Sequence, residues 1–139
     1  MRPMRPSDAE DIYRAVQDPE IPKFTTVPAD YPIDLAIEFA NTRAAASFVN
    51  KTELVFVIED ARLATATYPY PNGFAGVMSL HTIDIPNHRA EIGYWLAKEA
   101  RGHGICTKAA ELITEYGLMT IGFKRIDGIV DVRNEPSKA

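Results

Sequence analysis

The stretch that decides the fold is Ala90 to Ala110, AEIGYWLAKEARGHGICTKAA. Apolar side chains alternate along its first half, which predicts a strand over residues 89–96. Apolar residues recur at helical spacing in its second half, which predicts a helix from about residue 105 to about Gly117. The two sets are Ala90, Ile92, Tyr94 and Leu96, then Ile105, Ala109, Leu112, Ile113 and Tyr116. Arg101-Gly102-His103-Gly104 therefore joins a strand to an amphipathic helix.

This glycine loop has the features of an anion site. The first N–H groups of the following helix have no partner within it, and two glycines let a ligand approach the backbone closely. The helix dipole favours phosphate at this end, and Arg101 and Lys108 add positive charge. A tight turn without a ligand is the alternative explanation of a bare G-x-G. Thr107 replaces the third glycine of G-x-G-x-x-G and no G-x-x-x-x-G-K-[ST] occurs, which excludes Rossmann and Walker-type sites.

The flanking sequence predicts further helices and strands. Ser7 and Glu10 have capping-box spacing, Pro32 suits a first helical turn, and Asn72-Gly73 is a hairpin signal. The predicted elements are a strand over Met1 to Arg5, a helix from Asp8 to Gln17, a loop from Asp18 to Tyr31, a helix from Pro32 to Phe48, and strands over Glu53 to Glu59, Phe74 to Leu80 and Arg125 to Val132. This order predicts an α/β (α+β) fold, a mixed and mostly antiparallel sheet flanked by helices.

Composition and net charge argue against several classes of function. A length of 139 residues with 46% hydrophobic and 24% charged residues predicts one globular domain. A net charge of −4 argues against binding of nucleic acid or an anionic membrane surface. The single cysteine, Cys106, forms no internal disulfide, and no Cys/His cluster indicates a metal site. With a charged N-terminus and no long apolar run, we expect a cytoplasmic location.

Arg101 to Cys106 resembles the R/Q-x-x-G-x-G/A acetyl-CoA motif of the GNAT superfamily, and the preceding AEIGYWL is typical of its RimJ/RimL-type branch, which acetylates ribosomal-protein N-termini. The resemblance extends from RPSDAEDIY through FAGVMSL to RIDGIVDVRNEPS. It implies transfer of acetyl from acetyl-CoA to a primary amine, with a protein α-amino group first and a small amine (an amino acid, polyamine or antibiotic) second. A catalytically impaired CoA-binding module and a nucleotide-phosphate binder are the alternatives.

The resemblance also implies which residues bind the cosubstrate. The strand backbone would pair with the pantetheine arm, the loop amides would surround the pyrophosphate, and an asparagine after the last strand would contact pantetheine. These residues are Tyr94, Trp95, Leu96 and Ala97, then Arg101, Gly102, His103, Gly104, Ile105, Cys106 and Thr107, then Asn134. Cys106 departs from the Gly or Ala of the motif, and its alternative role is that of a small buried hydrophobe.

Amide formation needs a base for the amine and a proton for the departing thiolate. Family members often use a glutamate on the strand that holds Glu91, so Glu91 is the first candidate base. Its alternative is a structural carboxylate paired with Arg89 or a neighbouring cation. His81 and His88 are weaker candidates. The resemblance makes Ser137 the proton donor to the thiolate, whereas Asn134 to Ser137 is also a helix-start signal.

The family normally continues beyond the position of Ala139 with a helix and one or two more strands. A piece of a longer protein, a naturally shortened protein, and a homodimer that covers the free sheet edge are the three interpretations.

Overall fold

A computed structural model describes residues 1–138 of the chain. A single sheet contains five strands in chain order: β1 (Arg2–Pro3), β2 (Leu54–Glu59), β3 (Phe74–Asp84), β4 (Arg89–Leu96) and β5 (Arg125–Gly128). Neighbouring strands are antiparallel, except that β4 and β5 are parallel. The predicted fold class and the bounds of β4 are confirmed.

Helices flank this sheet. They are α1 (Ala9–Ala15), α2 (Glu20–Phe24), α3 (Ile33–Glu38), α4 (Ala44–Asn50), α5 (Ile105–Glu115) and α6 (Glu135–Lys138), and a π-helical segment (Phe39–Arg43) joins α3 to α4. Both α1 and α5 pack on β3, the central strand, whereas α4 packs on β2. Within residues 1–138, no helix is long and apolar enough to cross a membrane.

The core lies where β2 and β3 meet the helices. The side chains of Val55, Val57, Met78 and Leu80 are completely buried, and Ile113 of α5 belongs to the same core. In the register of β2 and β3, Phe56 lies opposite Met78, so Val55 and Val57 point to one face of the sheet and Met78 and Leu80 to the other. The sheet centre is therefore rigid and supports the neighbouring β4.

The N-terminal predictions need correction. The first strand contains only Arg2–Pro3, and Ser7 lies within a 3-10 turn (Pro6–Asp8) that precedes α1. The cap is made by Asp8, whose carboxylate accepts the Arg5 N–H at 2.6 Å. Arg2 binds both Asp8 (2.6 Å) and Glu59 (2.5 Å). A largely buried ion cluster thus takes the place of the predicted Ser7–Glu10 box.

Two loop predictions were incomplete. The segment 18–31 contains α2, which sequence periodicity did not indicate because the helix has only five residues. Strands β2 and β3 are antiparallel, but residues 60–73 join them instead of a two-residue turn. Gly73 keeps the left-handed backbone expected of a turn glycine (φ 72°), and a Cβ there would lie 2.2 Å from the Asp60 carbonyl oxygen. The glycine therefore closes a longer loop.

The C-terminal part also differs in its boundaries. Helix α5 continues into a π-helical segment (Tyr116–Ile121) that ends at Gly122, whose φ is 91°. Gly117 does not end the helix; it allows close packing, because a Cβ there would lie 2.7 Å from the Ile126 side chain. The last strand stops at Gly128 instead of Val132, and the residues after it turn into α6.

Candidate functional site

Strands β4 and β5 separate partway along their length. Their parallel pairing ends at Ile92 and Gly128. β4 continues to Leu96 and stays paired with β3 on its other side, where Leu96 pairs with Gly76. In the described chain, residues 93–96 thus have no strand partner on the β5 side. An unpaired strand edge presents N–H and C=O groups to any extended ligand in the gap.

A cavity of about 620 Å³ lies beside this gap. Its walls come from the α2 segment, from the end of β4 with the glycine loop and the start of α5, and from the segment around α6. The lining residues are Glu20, Ile21, Lys23, Phe24 and Thr25; Tyr94, Trp95, Leu96, Ala100, Arg101, Gly102, Gly104, Ile105, Cys106 and Thr107; and Arg133, Asn134, Pro136 and Ser137. This volume is ordinary for a small-molecule site.

Most of the residues predicted for the site line this one cavity. Three do not: Glu91, Ala97 and His103. Ala97 is fully buried, and its N–H donates to the Ala75 carbonyl at 2.8 Å. That amide is therefore already paired within the protein. His103 is exposed at the tip of the loop.

The loop backbone leaves the start of α5 open. Gly102 and Gly104 both have left-handed backbones (φ 80° and 72°), and a Cβ at either would meet no atom within 4 Å. The N–H of Lys108 donates to the Gly104 carbonyl, so the amides of residues 105–107 precede the first hydrogen bond of the helix. These amides and the helix dipole suit a phosphate group.

The prediction that Arg101 and Lys108 add positive charge to the loop does not match their contacts. Arg101 Nη2 donates to the Leu96 carbonyl at 2.9 Å and lies 2.7 Å from Asp18 Oδ2, so a protein carboxylate already balances its charge. Lys108 pairs with Glu111 and lies outside the cavity. Two other cations also line the cavity, Lys23, which pairs with Glu20, and Arg133, which pairs with Asp131.

Sequence reasoning missed both of these cations. Lys23 stands in a short segment without motif or period, and Arg133 directly precedes the Asn134 to Ser137 element without belonging to it.

Glu91 lies one residue before the point where the strands separate. Its side chain is 28% exposed, and His81 Nδ1 is 4.0 Å from Glu91 Oε2. Arg89 pairs with Asp84 instead, which contradicts the alternative that Arg89 holds Glu91. Asp127 of β5 is the direct strand partner of Glu91, a neighbour that the sequence did not reveal. Glu91 is thus a carboxylate beside the gap between β4 and β5, and within residues 1–138 no arginine pairs with it.

The two histidines proposed as weaker candidates differ in position. His81 hydrogen-bonds Thr82 Oγ1 at 2.8 Å, and its ring lies over Gly93, where a Cβ would be 2.9 Å from Nε2. His88 has a left-handed backbone (φ 52°), and its carbonyl accepts the Lys124 N–H at 2.7 Å. His88 therefore connects β4 to the residues before β5, whereas His81 lies beside Glu91.

Cys106 and the C-terminal residues complete the cavity wall. Burial raises the pKa of the Cys106 thiol, so at neutral pH it is a protonated, weakly reactive group. Asn134 and Ser137 both line the cavity, and the Ser137 N–H donates to the Asn134 carbonyl at 3.2 Å. The predicted helix start and the predicted position at the site are therefore compatible. Among residues 1–138, no three metal-ligating side chains cluster.

A sheet that opens beside a glycine loop and a helix N-terminus is the arrangement that the resemblance to acetyltransferases implies. The chain belongs to the acetyltransferase (GNAT) domain family, whose model matches residues 1–139.

Relatives agree with this assignment. The "Putative ribosomal N-acetyltransferase YdaF" of Bacillus subtilis (strain 168) is 40% identical over 70 residues, which are 50% of this chain and 38% of that relative. The chain thus spans well under half the length of that relative.

Solved structures show the same fold. The microcin C7 self immunity acetyltransferase MccE, solved with acetyl-CoA and AMP, has a TM-score of 0.74 at 27% identity, covering 98% of this chain and 71% of that one. The ribosomal-protein-S5-alanine acetyltransferase of Vibrio fischeri has a TM-score of 0.80 at 19% identity, covering 99% and 73%. At that identity, the second match supports the fold alone.

Proposed function

We propose that the protein transfers an acetyl group from acetyl-CoA to a primary amine, by direct attack within a ternary complex. The observation that carries the proposal is the unpaired edge of β4 at residues 93–96, which opens into the same cavity as the glycine loop. An extended chain of amides attached to a pyrophosphate matches both features at once. Acetyl-CoA has this structure.

The cosubstrate would be held mostly by main-chain atoms. Pantetheine amides would pair with the free edge of β4 between Tyr94 and Leu96, and the pyrophosphate would accept hydrogen bonds from the amides of residues 105–107. Arg101 is already engaged by Asp18, so we assign phosphate binding to backbone N–H groups and helix dipole. Asn134 would contact the pantetheine arm from the opposite wall.

The reaction itself needs little beyond placement and proton transfer. The neutral amine nitrogen attacks the thioester carbonyl carbon, the new C–N bond forms, and the C–S bond breaks. Glu91 does not line the cavity, so it would take the proton from the amine through an intervening water. Ser137, which lines the cavity, would donate a proton to the departing thiolate.

The acceptor we favour is the α-amino group of a protein, because the relative with 40% identity over 70 residues is named as a ribosomal N-acetyltransferase. A small amine is the second candidate, because MccE, at 27% identity, is named as a microcin C7 self immunity acetyltransferase. The α2 wall, with Glu20, Lys23 and Phe24, is the part of the cavity best placed to distinguish them.

Binding and turnover measured together test the function. Acetyl-CoA should raise the melting temperature, whereas ATP and NAD at the same concentration should not. Mass spectrometry should then show a gain of one acetyl group on a peptide N-terminus or on a small amine. Stabilisation without transfer to any member of the panel would support a CoA-binding module, and stabilisation by ATP or NAD alone would refute the assignment.

A further inference from the structure

Asp18 and Arg101 form an ion pair between two walls of the cavity. Asp18 precedes α2, and its Oδ1 accepts the Glu20 N–H at 3.1 Å, so this carboxylate fixes the start of the helix. Arg101 is the first residue of the glycine loop. Its Nη2 lies between the Leu96 carbonyl (2.9 Å) and Asp18 Oδ2 (2.7 Å). One guanidinium nitrogen thus contacts both the end of β4 and the turn before α2.

This pair is not an ordinary surface contact. Only 13% of the Asp18 side chain is exposed, and its Oδ2 is shielded from solvent without an aligned hydrogen bond, although Arg101 is close. A buried carboxylate oxygen that lacks a hydrogen bond is costly. Because Nη2 carries two hydrogens, a small rotation of the guanidinium would complete the bond. Arg101 is thus held against the turn before α2.

The two walls of the cavity, formed by the glycine loop and by α2, have different roles under the proposed function, on which this inference rests. The loop holds phosphate, and α2 contributes Lys23, Phe24 and Thr25 to the part of the cavity assigned to the acceptor. We propose that Asp18 and Arg101 are positioning residues that couple phosphate binding at the loop to the placement of α2. The acceptor wall is then set by cosubstrate binding, although Asp18 itself does not line the cavity.

Hydrogen exchange on the full chain tests this coupling directly. In the wild-type protein, coenzyme A should slow exchange in both the loop (residues 101–107) and α2 (residues 20–25). In Asp18→Asn, which keeps the size but removes the charge, coenzyme A should still protect the loop but no longer α2. Amides of β3 in the same sample report whether the variant is folded, and Arg101→Lys, which keeps a charge without the planar fork, is the second variant.

Kinetics give the second readout. Asp18→Asn should raise the KM for the amine about tenfold, within the usual range of coupling between sites, with little change in the Kd for coenzyme A. Glu10→Gln is the matched control, because it breaks an exposed ion pair of α1 (Glu10–Arg14, 2.9 Å) whose residues do not line the cavity, and it should change neither quantity.

The outcomes separate the two proposals. Protection of α2 by coenzyme A in Asp18→Asn, equal to that in wild type, would overturn the coupling alone. The same holds if α2 is unprotected in the wild type while the loop is protected, or if Glu10→Gln raises the KM as much as Asp18→Asn. Failure of coenzyme A to protect the wild-type loop would overturn the proposed function and the coupling with it.

Discussion

Gly104→Ala, compared with Gly122→Ala, tests whether the glycine loop binds phosphate. Both glycines have left-handed backbones (φ 72° and 91°), both are exposed, and a Cβ at either would meet no atom within 4 Å. Gly104 precedes α5 and lines the cavity, whereas Gly122 ends the π-helical segment and does not line it. The two substitutions therefore impose the same backbone strain at different places.

The strain sets the expected loss of stability. An alanine in the left-handed region costs roughly 1–2 kcal/mol. For a chain of this size, that cost lowers the melting temperature by roughly 3–8 °C, and the fall should be similar in the two variants. Differential scanning calorimetry without ligand measures it.

Affinity for coenzyme A should separate the variants. A methyl group at Gly104 would stand where phosphate oxygens must approach the amides at the start of α5. Loss of one hydrogen bond to a charged group costs roughly 1.5–3 kcal/mol, which is about 10- to 150-fold in Kd. Isothermal titration should show that loss in Gly104→Ala and no change in Gly122→Ala. Equal affinities, or an equal loss in both, would refute phosphate binding at this loop.

Three further predictions concern the chemistry and the scaffold. Glu91→Gln should lower kcat about 100-fold with the Kd for coenzyme A unchanged, and an unaltered kcat would remove Glu91 as the base. Cys106 should be alkylated more slowly than a free cysteine at pH 8, because burial raises the pKa of its thiol and so lowers the thiolate fraction. Its alkylation rate, followed by mass spectrometry, should rise with pH and fall when coenzyme A is added; a fast, ligand-independent reaction would contradict its place in the cavity wall. Asp8→Asn should reduce the free energy of unfolding by about 1.5–3 kcal/mol in urea titration, because it breaks the largely buried contact with Arg2, and a loss below the error of the titration would contradict that role.

Strand β4, the glycine loop and the start of α5 could be predicted because each depends on residues that are close together in the chain. The alternation in β4 located that strand correctly, and Gly102 and Gly104 marked the loop because only glycine adopts those backbones at low cost. The start of α5 followed from its apolar spacing.

Features that depend on contacts between distant segments were not predictable. The separation of β4 from β5 is a property of their pairing, which ends at Ile92. The contact of Asp18 with Arg101 joins residues that are far apart in the chain, and helix α2 is too short to show a period. The Asn-Gly signal at Gly73 was real, but it closed a long loop because Asp60 pairs with Gly73 across it.

The five strands lie in the sheet in the same order as in the chain. This order affects the kinetics of folding. β3 pairs with β2 and β4, its two neighbours in the chain, so these pairings close comparatively short loops, whereas joining β1 to β2 requires some fifty residues to be spanned. Loop-closure entropy rises with the length of the intervening chain, and contacts of short sequence separation form earlier in folding. We therefore expect the β2–β3–β4 meander to form early in folding and Arg2 to join the sheet later.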